Sequence, residues 1–537
     1  MNREWWKKAV IYQIYPKSFK DSNGDGFGDL KGIISKLDYL KLLGIDAIWL
    51  CPVYVSPQKD NGYDIADYYD VDPRYGTLTD MEDLILEAKK RDICILMDMV
   101  LNHTSDENKW FLEAKKSIDN PYHDFYVWRK GKKGCPPNDM KGTFGGSAWT
   151  WNEATGEFYF HQFADCQPDL NWDNPKVREA LYEVLKFWVD KGVGGFRFDV
   201  IDQIAKVPDE KITANGPRLH EFIREMNEKT FPDTVFLTVG ETWGATPELA
   251  KKYSSPKGDE FSMVFQFEHI LLDQIPGKEK WDLKPLKLTD LKRVFAKWQT
   301  ELYATGWNSL FWNNHDLPRI VSRWGNDSKE YRTLSAKMLA TILYGLQGTP
   351  YIYQGEELGM TNIKYDIADY KDIETLNIYD ERIHTGYSKE DVMKSIYAKS
   401  RDNARTPMQW NSSLNAGFSS CKPWIKVNPN YVEINSESEV SNPDSVFNYY
   451  KKLISLRKKY DVFCDGKFKL LCPDDEKIFA YTRETESEKI MVVCNFGEDE
   501  VSLGGKLKTH DGKILISNYG DCLEGKLRAY EAYVKLW

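Results

Sequence analysis

The chain has 537 residues, enough for a large core and for more than one domain. Its net charge of −10, from 72 basic and 82 acidic residues, argues against nucleic acid or an anionic membrane as the main partner. No stretch approaches the roughly 20 apolar residues of a membrane span, and the start, Met1-Asn2-Arg3-Glu4-Trp5-Trp6, has no apolar run of signal-peptide length. Nine scattered cysteines without metal-type spacing fit reduced thiols, so a cytoplasmic location is expected.

Short β-rich runs alternate with amphipathic helical stretches. In chain order, Val10–Tyr15, Ala47–Leu50, Ile93–Met97, Gly195–Phe198, Val235–Val239, Met263–Phe267, Leu310–Trp312 and Pro350–Tyr353 read as buried strands, each short, apolar and bounded by Gly, Pro, Asp or Asn. Gly28–Leu43, Met81–Arg91, Lys176–Lys191 and Lys329–Tyr344 read as helices between them. The alternation predicts an α/β fold, a (β/α)8 TIM barrel. One interval, after the third strand, is too long for a crossover helix and is rich in Gly, Trp, Tyr and Phe. It is read as an inserted subdomain, 104–173, between barrel segments 1–103 and 174–461. From 462 to 537 the pattern changes to Lys467–Leu471, Ile478–Thr482, Ile490–Cys494 and Ala529–Leu536, strands of a C-terminal antiparallel, sandwich-like β domain.

Barrel active sites form at the carboxyl ends of the strands. The third strand ends in Met97-Asp98-Met99-Val100-Leu101-Asn102-His103, the fourth in Gly195-Phe196-Arg197-Phe198-Asp199, the fifth in Val239-Gly240-Glu241-Thr242-Trp243, and the seventh in Asn313-Asn314-His315-Asp316. Any one of these carboxylates alone reads as a cap or an ion-pair partner. Together they suit glycoside hydrolysis, in which one carboxylate attacks, one carboxylic acid protonates the leaving oxygen, and negative charge stabilises an oxocarbenium-like transition state. The aromatic content, 14% with 18 Trp, fits a large core and equally fits stacking on the apolar faces of sugars.

These four strand ends resemble the signature of glycoside hydrolase family 13, the α-amylase family, and the resemblance covers essentially the whole chain. It implies that Asp199 is the nucleophile, Glu241 the general acid/base and Asp316 the third carboxylate. Arg197 would keep Asp199 ionised, His103 and His315 would donate to sugar hydroxyls, and Asp98 would orient this shell. Gln167-Pro168-Asp169-Leu170-Asn171 and Arg401-Asp402-Asn403-Ala404-Arg405-Thr406-Pro407-Met408-Gln409-Trp410 resemble the oligo-1,6-glucosidase subfamily. Asn215-Gly216-Pro217-Arg218-Leu219-His220 and Gly244-Ala245-Thr246-Pro247 are similar to its dextran glucosidases (glucan 1,6-α-glucosidases). The resemblance implies exo action: Asp60 and Arg401 would grip the 4-hydroxyl of a terminal glucose, Tyr63 would form the platform beneath it, and Phe144, Phe163 and Gln167 would complete the wall. Val200, where maltases tend to have Thr, implies α-1,6 preference. Trp243, Lys280 and Glu374 match contacts on the leaving side. The implied partner is an oligosaccharide, and a monomer is expected.

The loop Asp21-Ser22-Asn23-Gly24-Asp25-Gly26-Phe27-Gly28-Asp29 alternates oxygen ligands with glycine, as a hard cation requires. The position where an EF-hand needs Glu is Gly32, so it is not an EF-hand. The resemblance implies a structural calcium ion held by the side chains of Asp21, Asn23, Asp25 and Asp29 and by the carbonyl of Phe27.

Maltases and trehalose-6-phosphate hydrolases of the same family remain open. Sucrose isomerases carry an Arg-rich loop after the sixth strand, where this chain reads Leu271-Leu272-Asp273-Gln274-Ile275. A catalytically silent relative would have a membrane segment and lost carboxylates, and neither is seen.

Overall fold

The computed structural model describes residues 4–231, 236–505, 507 and 512–537. Val235, expected to open the fifth strand, and Met1, Asn2 and Arg3 lie outside the described residues. Eight parallel strands form a nearly closed barrel: Ile11–Ile14, Ala47–Leu50, Cys94–Val100, Gly195–Asp199, Leu237–Glu241, Met263–Phe265, Ser309–Leu310 and Thr349–Tyr353. Numbered first to eighth, they follow the order six-five-four-three-two-one-eight-seven in the sheet. The chain divides into two compact units, Trp49–Gln266 and Met1–Ile48 with Phe267–Trp537.

In the unit Trp49–Gln266, the third to sixth strands are almost entirely buried. That is why they read as near-continuous apolar runs. Register places Asp98 beside Arg197, Val100 beside Asp199, and Arg197 beside Val239. Gly195 permits this close pairing, since a Cβ there would meet the Leu237 carbonyl at 1.9 Å. The helix Pro175–Asp190 starts where Asn174 accepts from Lys176 N–H and proline fills the first turn. It buries Val177, Leu181, Val184, Leu185 and Trp188, one apolar stripe at helical spacing. Helix Leu78–Lys89 begins with a Thr77–Asp80 capping box. Between the third and fourth strands, Trp128–Lys130, Glu157–Phe160 and Trp149–Asn152 form a small antiparallel sheet in that order. Its own core is Val127, Ala148, Trp149, Phe158 and Phe160.

In the other unit, the first strand pairs with the eighth (Tyr12 with Ile352) and the eighth with the seventh (Thr349 with Ser309). The expected helix Gly28–Leu43 is two helices, Leu30–Ile34 and Leu37–Leu43. The break follows Ser35, whose hydroxyl bonds back to Gly32 O at 2.6 Å and competes with the helix ladder. The C-terminal sheet is antiparallel, in the order Lys467–Leu471, Ile478–Glu484, Lys489–Asn495, Ala532–Leu536, Lys513–Ser517. Its last strand starts later than expected because Tyr530 takes φ +52, which breaks the extended run. Helix Arg332–Tyr344 is buried along every residue from Ser335 to Tyr344. Tyr481 of this sheet donates to Ile342 O at 2.6 Å, and Arg483 donates to Gly345 O at 3.1 Å. No helix among the described residues is long and apolar enough to cross a membrane.

Candidate active site

In the unit Trp49–Gln266, Arg197 gathers the strand-end carboxylates. Residues two apart on a strand share a face, so Arg197 and Asp199 point the same way. The Arg197 guanidinium donates through Nη1 to Asp98 Oδ1 at 2.6 Å and Asp199 Oδ1 at 2.8 Å, and its Nη2 lies 2.6 Å from Glu241 Oε2. All four groups are buried. Three carboxylates around one guanidinium cannot all stay ionised cheaply out of water, so burial and mutual repulsion favour their protonated forms. Burial pushes the Asp199 carboxyl well up from its ordinary range, the neighbouring Glu241 and Asp98 push the same way, and Arg197 opposes them. Asp98 is fixed from behind, its Oδ2 accepting from Trp49 Nε1 at 3.0 Å and Tyr63 OH at 2.9 Å. Glu241 also accepts from Val200 N–H at 3.1 Å and from the Trp243 indole at 3.3 Å.

The expected wall residues of this unit assemble beside that cluster. The Tyr63 ring lies 5.9 Å from the Arg197 guanidinium. His103 Nε2 lies 3.1 Å from Tyr63 O and 3.2 Å from Gln167 Nε2, while Gln167 donates to Asp60 Oδ2 at 3.1 Å. Burial pushes the His103 imidazole down to about 4, so it is neutral at neutral pH. Phe163 packs 5.2 Å from His103, and Phe144 packs 5.6 Å from Phe163. Trp243 is 40% exposed although its indole is held to Glu241.

The unit Met1–Ile48 with Phe267–Trp537 carries a second charged group at the end of the seventh strand. His315 Nδ1 accepts from Gln13 Nε2 at 2.8 Å, which leaves the proton on Nε2, 3.2 Å from Asp316 Oδ2. Asp316 Oδ1 accepts from Arg405 Nη2 at 2.8 Å and Arg401 Nη1 at 3.4 Å. Burial pushes the Asp316 carboxyl up, but His315, Arg401, Arg405 and Lys280 outweigh it and hold the group well below the usual range. Arg401 also pairs with Asp372 Oδ1 at 2.7 Å and lies 3.5 Å from Glu374. Lys280 bonds Glu374 and stands 4.6 Å over the Trp281 ring. The two leaving-side candidates thus hold each other.

Sequence reasoning missed Trp49, Gln13, Asp372 and Arg405 as supports of this machinery. Arg405 lies within the Arg401–Trp410 stretch and Asp372 two residues before Glu374, and their charge was the available signal. Gln13 and Trp49 carry no signal apart from their places in the first two strands.

In the loop Asp21–Asp29, the two Asp21 oxygens accept from Asn23, Gly24 and Gly26 N–H and from the Ser419 hydroxyl. Burial pushes the Asp21 carboxyl up, and these bonds outweigh it and lower it. Asp29 accepts from Ser22 and caps Gly32 N–H. Asn23 Oδ1 accepts Asp25 N–H, and Asp25 Oδ1 accepts Phe27 N–H. The donors are oxygens of the kind calcium takes, and a metal would compete with the loop's own hydrogen bonds. Among the described residues, no group of three or more His, Cys, Asp or Glu is gathered to hold a metal.

Residues 13–466 match the family model described as alpha amylase, catalytic domain, and residues 468–531 match that of the maltogenic amylase C-terminal domain. The chain is 53% identical to the oligo-1,6-glucosidase of Parageobacillus thermoglucosidasius, over 99% of each chain. It is 55% identical to the glucan 1,6-alpha-glucosidase of Streptococcus pneumoniae, over 96% of each. The crystal structure of Bacillus licheniformis trehalose-6-phosphate hydrolase superposes with a TM-score of 0.94 at 47% identity, over 99% of both chains. With the barrel, the carboxylates at its strand ends and a family match over most of its length, this chain belongs to the α-amylase family of glycoside hydrolases.

Proposed function

We propose that the protein is a retaining, exo-acting α-glucosidase that hydrolyses terminal α-1,6 bonds of isomalto-oligosaccharides, panose and short dextrans. The observation that carries the chemistry is Arg197, whose guanidinium holds Asp199 at 2.8 Å and Glu241 at 2.6 Å on adjacent strands. In this reading a proton resides on Glu241 when substrate binds. Glu241 gives it to the glycosidic oxygen as Asp199 attacks the anomeric carbon, the C–O bond breaks, and a glucosyl–Asp199 ester forms. Glu241, now ionised, takes a proton from water, whose oxygen attacks the same carbon and releases α-glucose and Asp199. Asp316 is the third carboxylate, poised by His315 and Arg405. His103, Tyr63 and Gln167 serve the terminal glucose, as do Asp60 and Arg401.

The α-1,6 preference is supported by Val200, by Lys280 and Glu374, and by the two relatives named for that linkage. The test is kcat/KM on isomaltose against maltose, with trehalose-6-phosphate in the same panel and the first anomer followed by NMR. α-Glucose and a ratio of tens or more are expected, since single contacts discriminate by about 1–3 kcal/mol. β-Glucose would sink the retaining mechanism, and a ratio at or below about one would sink the linkage. The same reading places a structural calcium in the loop Asp21–Asp29 and a monomer in the cytoplasm, where the nine free cysteines would stay reduced. Calcium is tested by elemental analysis and by a melting temperature that rises with the ion and falls with chelator.

A further inference from the structure

The segments that follow the two catalytic strand ends, Val200–Gln203 and Thr242–Ala245, are bridged. Val200 takes φ +35, a left-handed backbone that a β-branched residue adopts only under constraint. The turn leads into the short helix Ile201–Gln203 and brings Asp202, fully buried, to the loop after Glu241. There Asp202 Oδ2 accepts Gly244 N–H at 2.9 Å. Asn215, itself at φ +53, closes the bridge. Its N–H donates to Asp202 O at 2.7 Å, its side-chain amide donates to Gly244 O at 3.3 Å, and its Oδ1 accepts Tyr253 OH at 2.8 Å. A Cβ on Gly244 would lie 2.5 Å from Asn215 Nδ2, so a larger residue there would push the Asn215 amide out of the bridge. The stretches around Asn215 and Gly244, separate in sequence, therefore form one contact.

We infer that Asp202 is a positioning residue which, with Asn215, clamps the loop carrying Trp243 to the turn after the nucleophile and so fixes the proton-donating geometry of Glu241. The inference rests on Glu241 being the acid. The clamp reaches Glu241 from both sides, through Val200 N–H on Oε2 and the Trp243 indole on Oε1. Charge adds to geometry. Burial pushes the Asp202 carboxyl up to about 7, and the Glu241 charge adds to the rise, against hydrogen bonds from the loop. Repulsion between two carboxylates is mutual, so an ionised Asp202 favours the proton on Glu241. A further titratable neighbour of Asp202 is Tyr253, backed by Glu260 and His220.

The test compares kcat/KM of Asp202→Ala, Asp202→Asn and Asn215→Ala on isomaltose and on 4-nitrophenyl α-glucoside, with pH profiles and melting curves. 4-Nitrophenolate leaves without a proton, so loss of acid positioning spares the aryl substrate. Asp202→Ala should lose about 100-fold on isomaltose and less than about fivefold on the aryl glucoside, in the range general-acid catalysis supplies. Asp202→Asn keeps the acceptor and loses the charge. It should recover most of the isomaltose activity while the basic limb of its profile moves to lower pH. Asn215→Ala should show the same substrate split, more weakly. Equal loss on both substrates, loss on neither, or an unmoved basic limb in Asp202→Asn would overturn the inference. If Asp202→Ala fails to fold, the Asn215→Ala split and the Asp202→Asn limb decide. Glu241→Gln is the control: if it hydrolysed isomaltose normally, the acid assignment would fall, whatever the bridge does.

Discussion

At the scale of single residues, Arg197 is the group with no substitute. It meets Asp98 and Asp199 through one nitrogen and Glu241 through another, a geometry that needs the planar fork of a guanidinium. A lysine there offers one point charge on a shorter reach. Arg197→Lys should therefore cut kcat/KM on isomaltose by at least about 100-fold, the scale of 2.7 kcal/mol in transition-state energy. An activity within tenfold of the parent would show that the fork is dispensable. His103 gives a stability prediction. Burial lowers its folded value to about 4 from the ordinary 6.5. Above pH 6.5 both the folded and the unfolded imidazole are neutral, and the group contributes no pH dependence. As pH falls from 6.5 toward 4, the unfolded chain binds a proton that the folded one refuses, so stability is lost. The loss approaches roughly 3 kcal/mol below pH 4. A His103→Asn variant should show a shallower fall of melting temperature across that window, and an unchanged slope would contradict the shift.

At the scale of elements, the helix Arg332–Tyr344 shows how a segment end is held. The last carbonyls of a helix lack partners within it. Buried Arg457 meets this need: Nη1 donates to Tyr344 O at 2.6 Å and Leu346 O at 2.8 Å, and Nη2 donates to Gly348 O at 2.6 Å. Arg457→Met keeps much of the volume and strands three buried acceptors. It should cost about 3 kcal/mol or more, seen as a lower denaturation midpoint with kinetics on isomaltose unchanged in the surviving enzyme. A midpoint equal to the parent's would refute this. The barrel strands were legible because burial on both faces leaves apolar runs between turn residues, and Ala47–Leu50 matches its expected bounds; Lys467–Leu471 of the C-terminal sheet was legible from alternation and also matches. The helix Ile373–His384 was not legible. It buries Thr375, Ile378 and Arg382, so two of its three inward residues are polar and no apolar stripe marks it. Among site residues, the strand-end carboxylates were readable because a motif announces them. Asp202 was not, because its function depends on Gly244 and Asn215, which only the folded chain brings near.

At the scale of the whole molecule, the alternation of strands and helices points to the barrel and the strand-end motifs to the family, while the division of labour between segments comes from packing. The C-terminal sheet has its own core of Ile478, Ala480, Met491, Val493 and Tyr533, which invites the view that it could be removed. Truncation after residue 466 should instead give an insoluble product, measured as the fraction recovered after centrifugation of the expressed chain; a soluble, active fragment would refute this. The reason is the helix Arg332–Tyr344, buried from Ser335 to Tyr344, which would be laid open to water once Tyr481 and Arg483 are gone. A Cβ on Gly345 would meet Tyr481 OH at 2.1 Å, so the glycine at the end of this helix and the tyrosine on the sheet are cut to each other's shape. Chimeras built by exchanging C-terminal sheets between relatives must therefore carry the matching 332–345 segment with them, and the natural seam for recombination runs through the barrel itself, ahead of that helix.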